Sequence, residues 1–199
     1  MEDSRKGIGI LGGSFDPVHN GHLAIAESFL RSGFISELWI LLTPDPPHKP
    51  HKDLSEYDIR LKMLKAAFRN KKNILVKDFE SHLPKPSYSI HTLEYLKRQY
   101  PEKKLYLCIG EDSFNHFESW HKWNEILTYC NLLVARRPSA EEHENNEMIT
   151  QNAQFVSHSP INISSTDIRH KVAKGESISA LVPKEVEALI SKNNLYKDR

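Results

Sequence analysis

The sequence predicts an α/β fold with a doubly wound, mainly parallel sheet and helices on both faces. Short apolar runs of strand length alternate along the chain with longer segments of helical periodicity. These runs are apolar without polar alternation, which is typical of strands covered on both faces. Right-handed crossovers would then bring the carboxyl ends of the strands to one edge of the sheet, where such folds bind ligands.

The predicted elements follow from these runs in chain order. Strands are predicted over residues 8–11, 37–43, 73–79, 105–109, 131–135 and 154–157. Helices are predicted over residues 20–31, 55–69, 87–100, 114–129, 165–174 and 183–192. Ser55 is the predicted N-cap of the second helix, and Arg60 lies on its first turns. The aromatic-rich fourth helix has a break near His121, and residues 139–151 form a polar surface loop with a short helix.

Length and composition limit the class of protein. The 199 residues fit a single domain, 1–199, with a helical C-terminal part over about residues 165–195. A net charge of +1 shows no global signature of nucleic-acid or membrane binding. No apolar window reaches the roughly 18 residues of a membrane span, so we expect a cytoplasmic protein. Cys108 and Cys130 lie in apolar segments without metal-ligand spacing, which indicates buried free thiols in a reducing compartment.

The stretch from Gly12 to His22, with the sequence GGSFDPVHNGH, has the strongest functional signal. A strand that ends in a glycine pair and leads into a helix lets backbone approach a ligand closely, and the helix N-terminus favours an anion. His19 and His22 stand three residues apart, so both rings can face the same side of the first helical turn. The stretch therefore predicts a phosphate site with two imidazole donors. The pattern G-x-G-x-x-G over residues 7–12 overlaps the first strand, so it does not indicate a dinucleotide site.

Two further polar stretches leave two interpretations open. Residues 44–52 are rich in proline, histidine and lysine, and form either a solvated connection or a rigid loop that carries cations to a polyphosphate. Residues 163–169, with the sequence ISSTDIR, precede and enter a helix. Their hydroxyls are ordinary N-cap chemistry, or with Arg169 they form a phosphate clamp.

The absence of several known catalytic motifs limits the reactions that the sequence can indicate. The sequence contains no Walker A pattern, no G-x-S-x-G elbow, no H-E-x-x-H and no cysteine cluster. A nucleotide site built from imidazoles, hydroxyls and arginines suits attack on an α-phosphate with pyrophosphate leaving. Such a transfer needs positioning and charge neutralisation, without a protein nucleophile.

These residues resemble those of a known family. GGSFDPVHNGH and ISSTDIR are similar to the signatures of the nucleotidyltransferase superfamily that shares H-x-G-H with class I aminoacyl-tRNA synthetases. Within it, the chain resembles the bacterial nicotinate mononucleotide adenylyltransferases. That narrower likeness rests on PPHK (46–49), RLKML (60–64), PSYSIHTL (86–93), IGEDS (109–113), SW (119–120) and RRP (136–138). It extends over about residues 8–196.

The resemblance implies a Rossmann-like enzyme of NAD biosynthesis that joins ATP to nicotinate mononucleotide, giving deamido-NAD and pyrophosphate. Mg²⁺ would bind mainly through the ATP phosphates, with no metal ligands assigned to the protein. His19, His22 and Arg169 would be catalytic. The implied ATP contacts are Gly12, Gly13, Ser14, Phe15, His19, His22, Ile163, Ser164, Ser165, Thr166 and Arg169, with support from Lys49 and Arg137. The implied mononucleotide contacts are Ser14, Phe15, Tyr88, Ser89, Asp112, Trp120 and His121.

Three positions depart from the pattern of many relatives. Serine replaces threonine at positions 14 and 89, which keeps a hydroxyl there. His121 replaces tyrosine, and this change does not affect a backbone donor. The alternatives are a phosphopantetheine adenylyltransferase, a cytidylyltransferase for a small alcohol phosphate, a preference for nicotinamide over nicotinate mononucleotide, and a catalytically silent nucleotide sensor. The length, the PSYS segment and Trp120 argue against the first two, and the intact histidines and Arg169 argue against the sensor. We expect no nucleic-acid or membrane partner, and a homo-oligomer is among the states the sequence allows.

Overall fold

A computed structural model describes residues 6–47, 54–136, 146–159 and 161–197. The strands are β1 (Gly7–Gly13), β2 (Ile35–Leu42), β3 (Ile74–Lys77), β4 (Leu105–Gly110), β5 (Asn131–Arg136) and β6 (Ala153–Ser157). The helices are α1 (Asn20–Arg31), α2 (Tyr57–Phe68), α3 (Ser89–Gln99), α4 (Glu111–Asn115), α5 (Trp123–Tyr129), α6 (Glu147–Gln151), α7 (Ser165–Ala173) and α8 (Lys184–Lys192). Short 3₁₀ helices lie at Phe79–His82 and Phe117–Ser119.

The six described strands form one sheet in the order β3-β2-β1-β4-β5-β6, and each neighbouring pair is parallel. This confirms the predicted doubly wound, Rossmann-like α/β fold. The chain order reverses between β1 and β4, so the crevice at the carboxyl ends of these two strands is the expected ligand site. Gly12 and Gly13 end β1 at this crevice.

Apolar side chains cover both faces of the sheet, as the uninterrupted apolar runs predicted. On one face Phe29 of α1, Leu64 of α2 and Val186 of α8 are fully buried. On the other face Leu93 of α3 and Ile126 of α5 are equally buried. The helices therefore flank the sheet on both sides and hold the strand ends rigidly. Within the described part of the chain, no helix combines the length and the apolar character needed to cross a bilayer.

Some predicted boundaries are wrong. Ser55 is not the N-cap of α2, because the helix begins at Tyr57 and its N-cap is Glu56; the backbone N–H of Ser55 donates to Asp16. The predicted helix over 114–129 is divided into α4, a 3₁₀ turn and α5. The break falls beside His121, where Lys122 adopts a left-handed conformation with a φ of 56°. The third predicted strand ends at Lys77, and a 3₁₀ turn follows it.

Candidate active site

The loop that follows β1 is built over a buried aromatic ring. Phe15 is 3% exposed and has a φ of 43°. Its ring lies against Gly13, where an added Cβ would come within 2.9 Å of the ring. Any larger residue at position 13 would therefore force the buried ring to shift. Because the Phe15 side chain lies in the core, a predicted nucleotide contact there would involve its backbone.

A buried arginine supports this loop from below. Arg60 is 2% exposed, and its NH1 donates to the carbonyl of Ser14 at 2.8 Å and to that of Thr43 at 3.1 Å. Its Nε donates to the carbonyl of Ser55 at 2.9 Å. One guanidinium thus joins the ends of β1 and β2 to the start of α2. Sequence reasoning placed Arg60 on its helix but missed this role, because carbonyl acceptors leave no mark in the sequence.

Asp16, in the same loop, also connects it to distant parts of the chain through hydrogen bonds. Its side chain is 2% exposed and accepts hydrogen bonds from the Ser55 N–H at 3.1 Å and from the Tyr196 hydroxyl at 2.6 Å. Its backbone carbonyl accepts from NH1 of Arg169 at 2.9 Å. The loop, the C-terminal segment and the predicted catalytic arginine are therefore held together through one aspartate.

The two predicted catalytic histidines lie together at the start of α1. Their rings stack with centroids 3.7 Å apart, and the His19 N–H donates to Nδ1 of His22 at 3.2 Å. Since Nδ1 of His22 accepts this bond, the proton of a neutral His22 ring is on Nε2, which makes Nε2 a donor. Burial lowers the pKa of His19 to about 4. His19 is therefore uncharged at neutral pH and acts as a neutral imidazole.

The N-terminus of α7 confirms the N-cap interpretation, and the phosphate clamp stays a prediction. Ser164 is the N-cap, accepting from the Asp167 N–H at 3.0 Å. The Ser165 hydroxyl donates to the carbonyl of Pro17 at 2.9 Å, and NH2 of Arg169 donates to the Thr166 hydroxyl at 3.2 Å. The hydroxyls thus fix the helix against the loop after β1, and the helix end and the arginine remain aimed at the same space. A helix N-terminus with an adjacent guanidinium is suited to an anion.

A cavity of about 490 Å³ opens beside these groups. Its lining brings together His19, His22, Ile163, Ser164, Ser165, Thr166 and Arg169, all of them predicted ATP contacts. Asp112 also lines this cavity, away from the mononucleotide contacts with which the sequence had grouped it. Sequence reasoning missed His158, which lies in the same wall with its Nδ1 3.0 Å from the Ser28 hydroxyl.

A second, larger cavity of about 680 Å³ is lined in part by the end of β1. The predicted residues in its lining are Gly12, Gly13, Ser14, Tyr88, Ser89, Trp120 and His121. The rings of Tyr88 and His121 stack with centroids 4.3 Å apart. Trp120 is half-buried and packs against Phe117, which leaves part of the indole facing the cavity. The lining is mainly apolar with a few polar groups, as is usual for a site that binds a flat heterocycle.

The larger cavity also contains a carboxyl that the sequence did not predict. Glu80 lies in its wall and is 9% exposed. Burial raises the pKa of Glu80 to about 7, although hydrogen bonding by Thr92 and Thr43 acts in the opposite direction. Lys49 and Arg137, the two supporting candidates, lie outside the described residues.

Comparisons with known proteins identify the family of the chain. The sequence model of the cytidylyltransferase-like family matches residues 10–171. Two bacterial relatives are described as "probable nicotinate-nucleotide adenylyltransferase". The protein from Rhodopirellula baltica is 37% identical, with 98% of this chain and 96% of the relative covered. The protein from Cytophaga hutchinsonii is 36% identical, with 96% and 98% covered.

A solved structure supports the fold. Plasmodium falciparum nicotinic acid mononucleotide adenylyltransferase, complexed with NaAD, has a TM-score of 0.80 and 22% identity, and 98% of each chain is covered. A structure of the same enzyme complexed with APC has a TM-score of 0.78. The family assignment rests on the more similar bacterial sequences: the chain belongs to the cytidylyltransferase-like family and, within it, to the nicotinate-nucleotide adenylyltransferases.

Proposed function

We propose that this chain transfers the adenylyl group of ATP to nicotinate mononucleotide, giving deamido-NAD and pyrophosphate. The observation that carries the proposal is a pair of cavities, one lined by the end of β1 and Ser14 and the other by His19 and His22 a few residues later. The smaller is lined by histidines, an arginine and a helix N-terminus, and the larger by glycine backbone and aromatic rings. Two nucleotides bound in these cavities would meet at the loop.

The smaller cavity supplies the groups that a triphosphate needs. The N-terminus of α7 and Arg169 would hold the β- and γ-phosphates, which become the leaving pyrophosphate. Because Arg169 is already bonded to the Asp16 carbonyl and to Thr166, its guanidinium is positioned before ATP binds. This preorganisation lowers the cost of ordering the arginine in the transition state.

The histidines would act on the α-phosphate. A phosphate oxygen of the mononucleotide attacks the α-phosphorus, a new P–O bond forms, and the bond to the β-phosphate oxygen breaks. Negative charge accumulates on the α-phosphate oxygens, where the Nε2 donor of His22 and the neutral His19 ring would stabilise it. The reaction needs no protein nucleophile, and the neutral His19 ring would take part through its single N–H donor.

The larger cavity would bind the mononucleotide. Trp120 would stack on the pyridine ring, and Ser89 with the backbone near His121 would contact the carboxylate. Gly12, Gly13 and Ser14 would allow the mononucleotide phosphate to approach the loop closely. Asp112, which lines the other cavity, is better placed for a polar contact to ATP.

Mg²⁺ belongs to the same proposal. Within the described ranges, no three histidine, cysteine or acidic side chains gather as metal ligands. The cation would arrive on the phosphates of ATP and keep several water ligands. Such a cation would neutralise phosphate charge during the transfer. Lys49 and Arg137 stay predicted supporting contacts for the phosphates.

We also propose that residues 1–199 act as one domain, since the described parts of the site come from elements packed on one sheet. A cytoplasmic location is part of the proposal. It is supported by Cys108 and Cys130, which are buried free thiols whose pKa values burial raises.

The test is pyrophosphate release from ATP and Mg²⁺, with nicotinate and nicotinamide mononucleotide as parallel substrates. Without either mononucleotide, we expect negligible pyrophosphate release. With nicotinate mononucleotide, we expect faster release than with nicotinamide mononucleotide. Comparable rates would keep the enzyme class and contradict the preference for the acid. Folded protein that releases no pyrophosphate with either substrate would contradict the proposal and favour a phosphopantetheine substrate or a silent sensor.

A further inference from the structure

Tyr196 is a buried residue of the C-terminal segment that follows α8. Its side chain is 4% exposed and packs in the core on the face of the sheet that α1, α2 and α8 cover. Its backbone has a φ of 64°, and that of Asn194 has a φ of 49°. A bulky residue rarely adopts this left-handed conformation, which persists only where the surrounding structure holds it in place. The backbone strain indicates that the Tyr196 side chain makes a contact that compensates for it.

That contact is the hydrogen bond from the Tyr196 hydroxyl to Oδ1 of Asp16, at 2.6 Å. Burial raises the pKa of the Tyr196 hydroxyl, so the group stays protonated and remains a donor at neutral pH. Oδ2 of Asp16 accepts from the Ser55 N–H at 3.1 Å. The Asp16 side chain is thus held from two directions, by the C-terminal segment and by the residues that precede α2.

The backbone of Asp16 and Pro17 contacts α7. The Asp16 carbonyl accepts from NH1 of Arg169 at 2.9 Å, and the Pro17 carbonyl accepts from the Ser165 hydroxyl at 2.9 Å. His19 follows Pro17 by two residues in the chain. The position of Asp16 therefore determines where the Arg169 guanidinium lies relative to the histidines of the smaller cavity.

We propose that Tyr196 is a positioning residue of the adenylyl transfer, which places Arg169 by fixing Asp16. Tyr196 is absent from the lining of both described cavities, so it acts on the site through Asp16 and not by touching a substrate. The inference rests on the proposed function, because the leaving pyrophosphate is the group that Arg169 would hold. A displaced guanidinium would stabilise the charge on that group less well in the transition state.

The test variant is Tyr196→Phe, which removes one oxygen atom and keeps the buried ring. It should lower kcat by ~10- to 10²-fold, measured as pyrophosphate release per folded protein. The KM for nicotinate mononucleotide should change little, because neither Tyr196 nor Arg169 lines the larger cavity. Tyr106→Phe is the matched control and should keep the wild-type kcat. Tyr106 is 3% exposed in the same core cluster and lines neither described cavity.

A double-mutant cycle distinguishes positioning of Arg169 from a general effect on the fold. If Tyr196 acts through Arg169, Tyr196→Phe should change kcat by less than about twofold in an Arg169→Ala background. A hydroxyl with a merely structural role predicts instead that the two losses multiply. Multiplied losses, or a wild-type kcat in the single variant, would overturn the inference.

Binding of inorganic pyrophosphate gives a readout that does not depend on turnover. Calorimetry should show binding to Tyr196→Phe that is weaker than to wild type by about fivefold or more. In an Arg169→Ala background, the same substitution should leave pyrophosphate binding unchanged. Equal binding to wild type and to Tyr196→Phe would overturn the inference.

Asp16→Asn is a second variant, which serves if Tyr196→Phe does not fold. It keeps the carbonyl that accepts from Arg169, but its amide has one acceptor oxygen in place of two. The same weakening of pyrophosphate binding is expected, and wild-type binding would count against positioning through Asp16. If wild type binds pyrophosphate but releases none from ATP with either mononucleotide, the proposed function fails. The binding comparison then decides on its own whether Tyr196 positions Arg169.

Discussion

Replacing Glu80 by glutamine should change how the free energy of unfolding depends on pH. Burial raises the pKa of Glu80 from 4.5 to about 7. The folded protein therefore keeps a proton that the unfolded chain releases as the pH rises above 4.5. Its contribution to stability is fully present below that pH and is lost progressively until the pH passes about 7.

His19 acts with the opposite sign. Burial lowers the pKa of His19 from 6.5 to about 4. The unfolded chain takes up a proton on this histidine as the pH falls below 6.5, while the folded protein does not. Stability from His19 is thus present above that pH and is lost as the pH falls toward about 4. In wild type, the stability contribution of Glu80 falls with rising pH while that of His19 increases. The pH dependence of the total free energy of unfolding is therefore smaller than either contribution alone.

The magnitude follows from the two pKa values of Glu80. At about 1.4 kcal/mol per pH unit, the full difference amounts to roughly 3 kcal/mol. Between pH 5 and pH 8, the contribution of Glu80 to the free energy of unfolding falls by about 2.5 kcal/mol. Glu80→Gln removes this titration, so the variant should gain about 2.5 kcal/mol relative to wild type as the pH rises from 5 to 8.

Urea unfolding at several pH values between 5 and 8 measures this difference directly. The quantity to follow is the variant minus the wild-type free energy of unfolding, because all other groups cancel in it. For Glu118→Gln, at an exposed position, the free energy of unfolding should have the same pH dependence as in wild type. A Glu80→Gln difference that is the same at pH 5 and pH 8 within about 0.5 kcal/mol would show that the buried carboxyl titrates normally, and would refute the reasoning.

Three further substitutions test other parts of the site. His22→Ala should lower kcat by ~10²-fold or more through loss of a preorganised donor; wild-type turnover would remove His22 from the mechanism. Trp120→Ala should weaken mononucleotide binding by ~1–3 kcal/mol, read as KM at saturating ATP, and an unchanged KM would make the ring a core residue only. Tyr196→Phe removes the hydroxyl that donates to Oδ1 of the buried Asp16 carboxylate, while the Ser55 N–H still donates to Oδ2, and should cost ~1–3 kcal/mol of unfolding free energy. Tyr100→Phe, at a residue 40% exposed, is its control and should cost little.

The parts of the fold that depend on local pattern were predictable. Continuous apolar runs identified the strands, and their alternation with helices led to the parallel sheet and its ligand edge. H-x-G-H and ISSTDIR were recognisable because the residues that define each motif are adjacent in sequence. The structure places both motifs in the lining of one cavity.

The parts that depend on distant contacts were not predictable. Ser55 has the composition of an N-cap, but its N–H bonds to Asp16, 39 residues away, and the helix starts later. Arg60 supports the loop through carbonyl oxygens, which every residue possesses. Glu80 is expected to be exposed from its type alone, and only the packing of α3 against the 3₁₀ turn reveals its burial. Asp112 was grouped with the mononucleotide contacts, whereas the structure places it in the lining of the smaller cavity, because a position at a strand end does not specify which cavity a side chain lines.

The hydrogen bond from Tyr196 to Asp16 joins residues that are 180 positions apart. During synthesis the glycine turn and both histidines leave the ribosome long before Tyr196 is made. At 5–20 residues per second, the interval is on the order of 10 to 40 s. Throughout it, the aspartate that holds the loop lacks this partner. A nascent chain would therefore carry His19 and His22 while its loop still lacked this hydrogen bond, so nucleotide binding should develop late in translation.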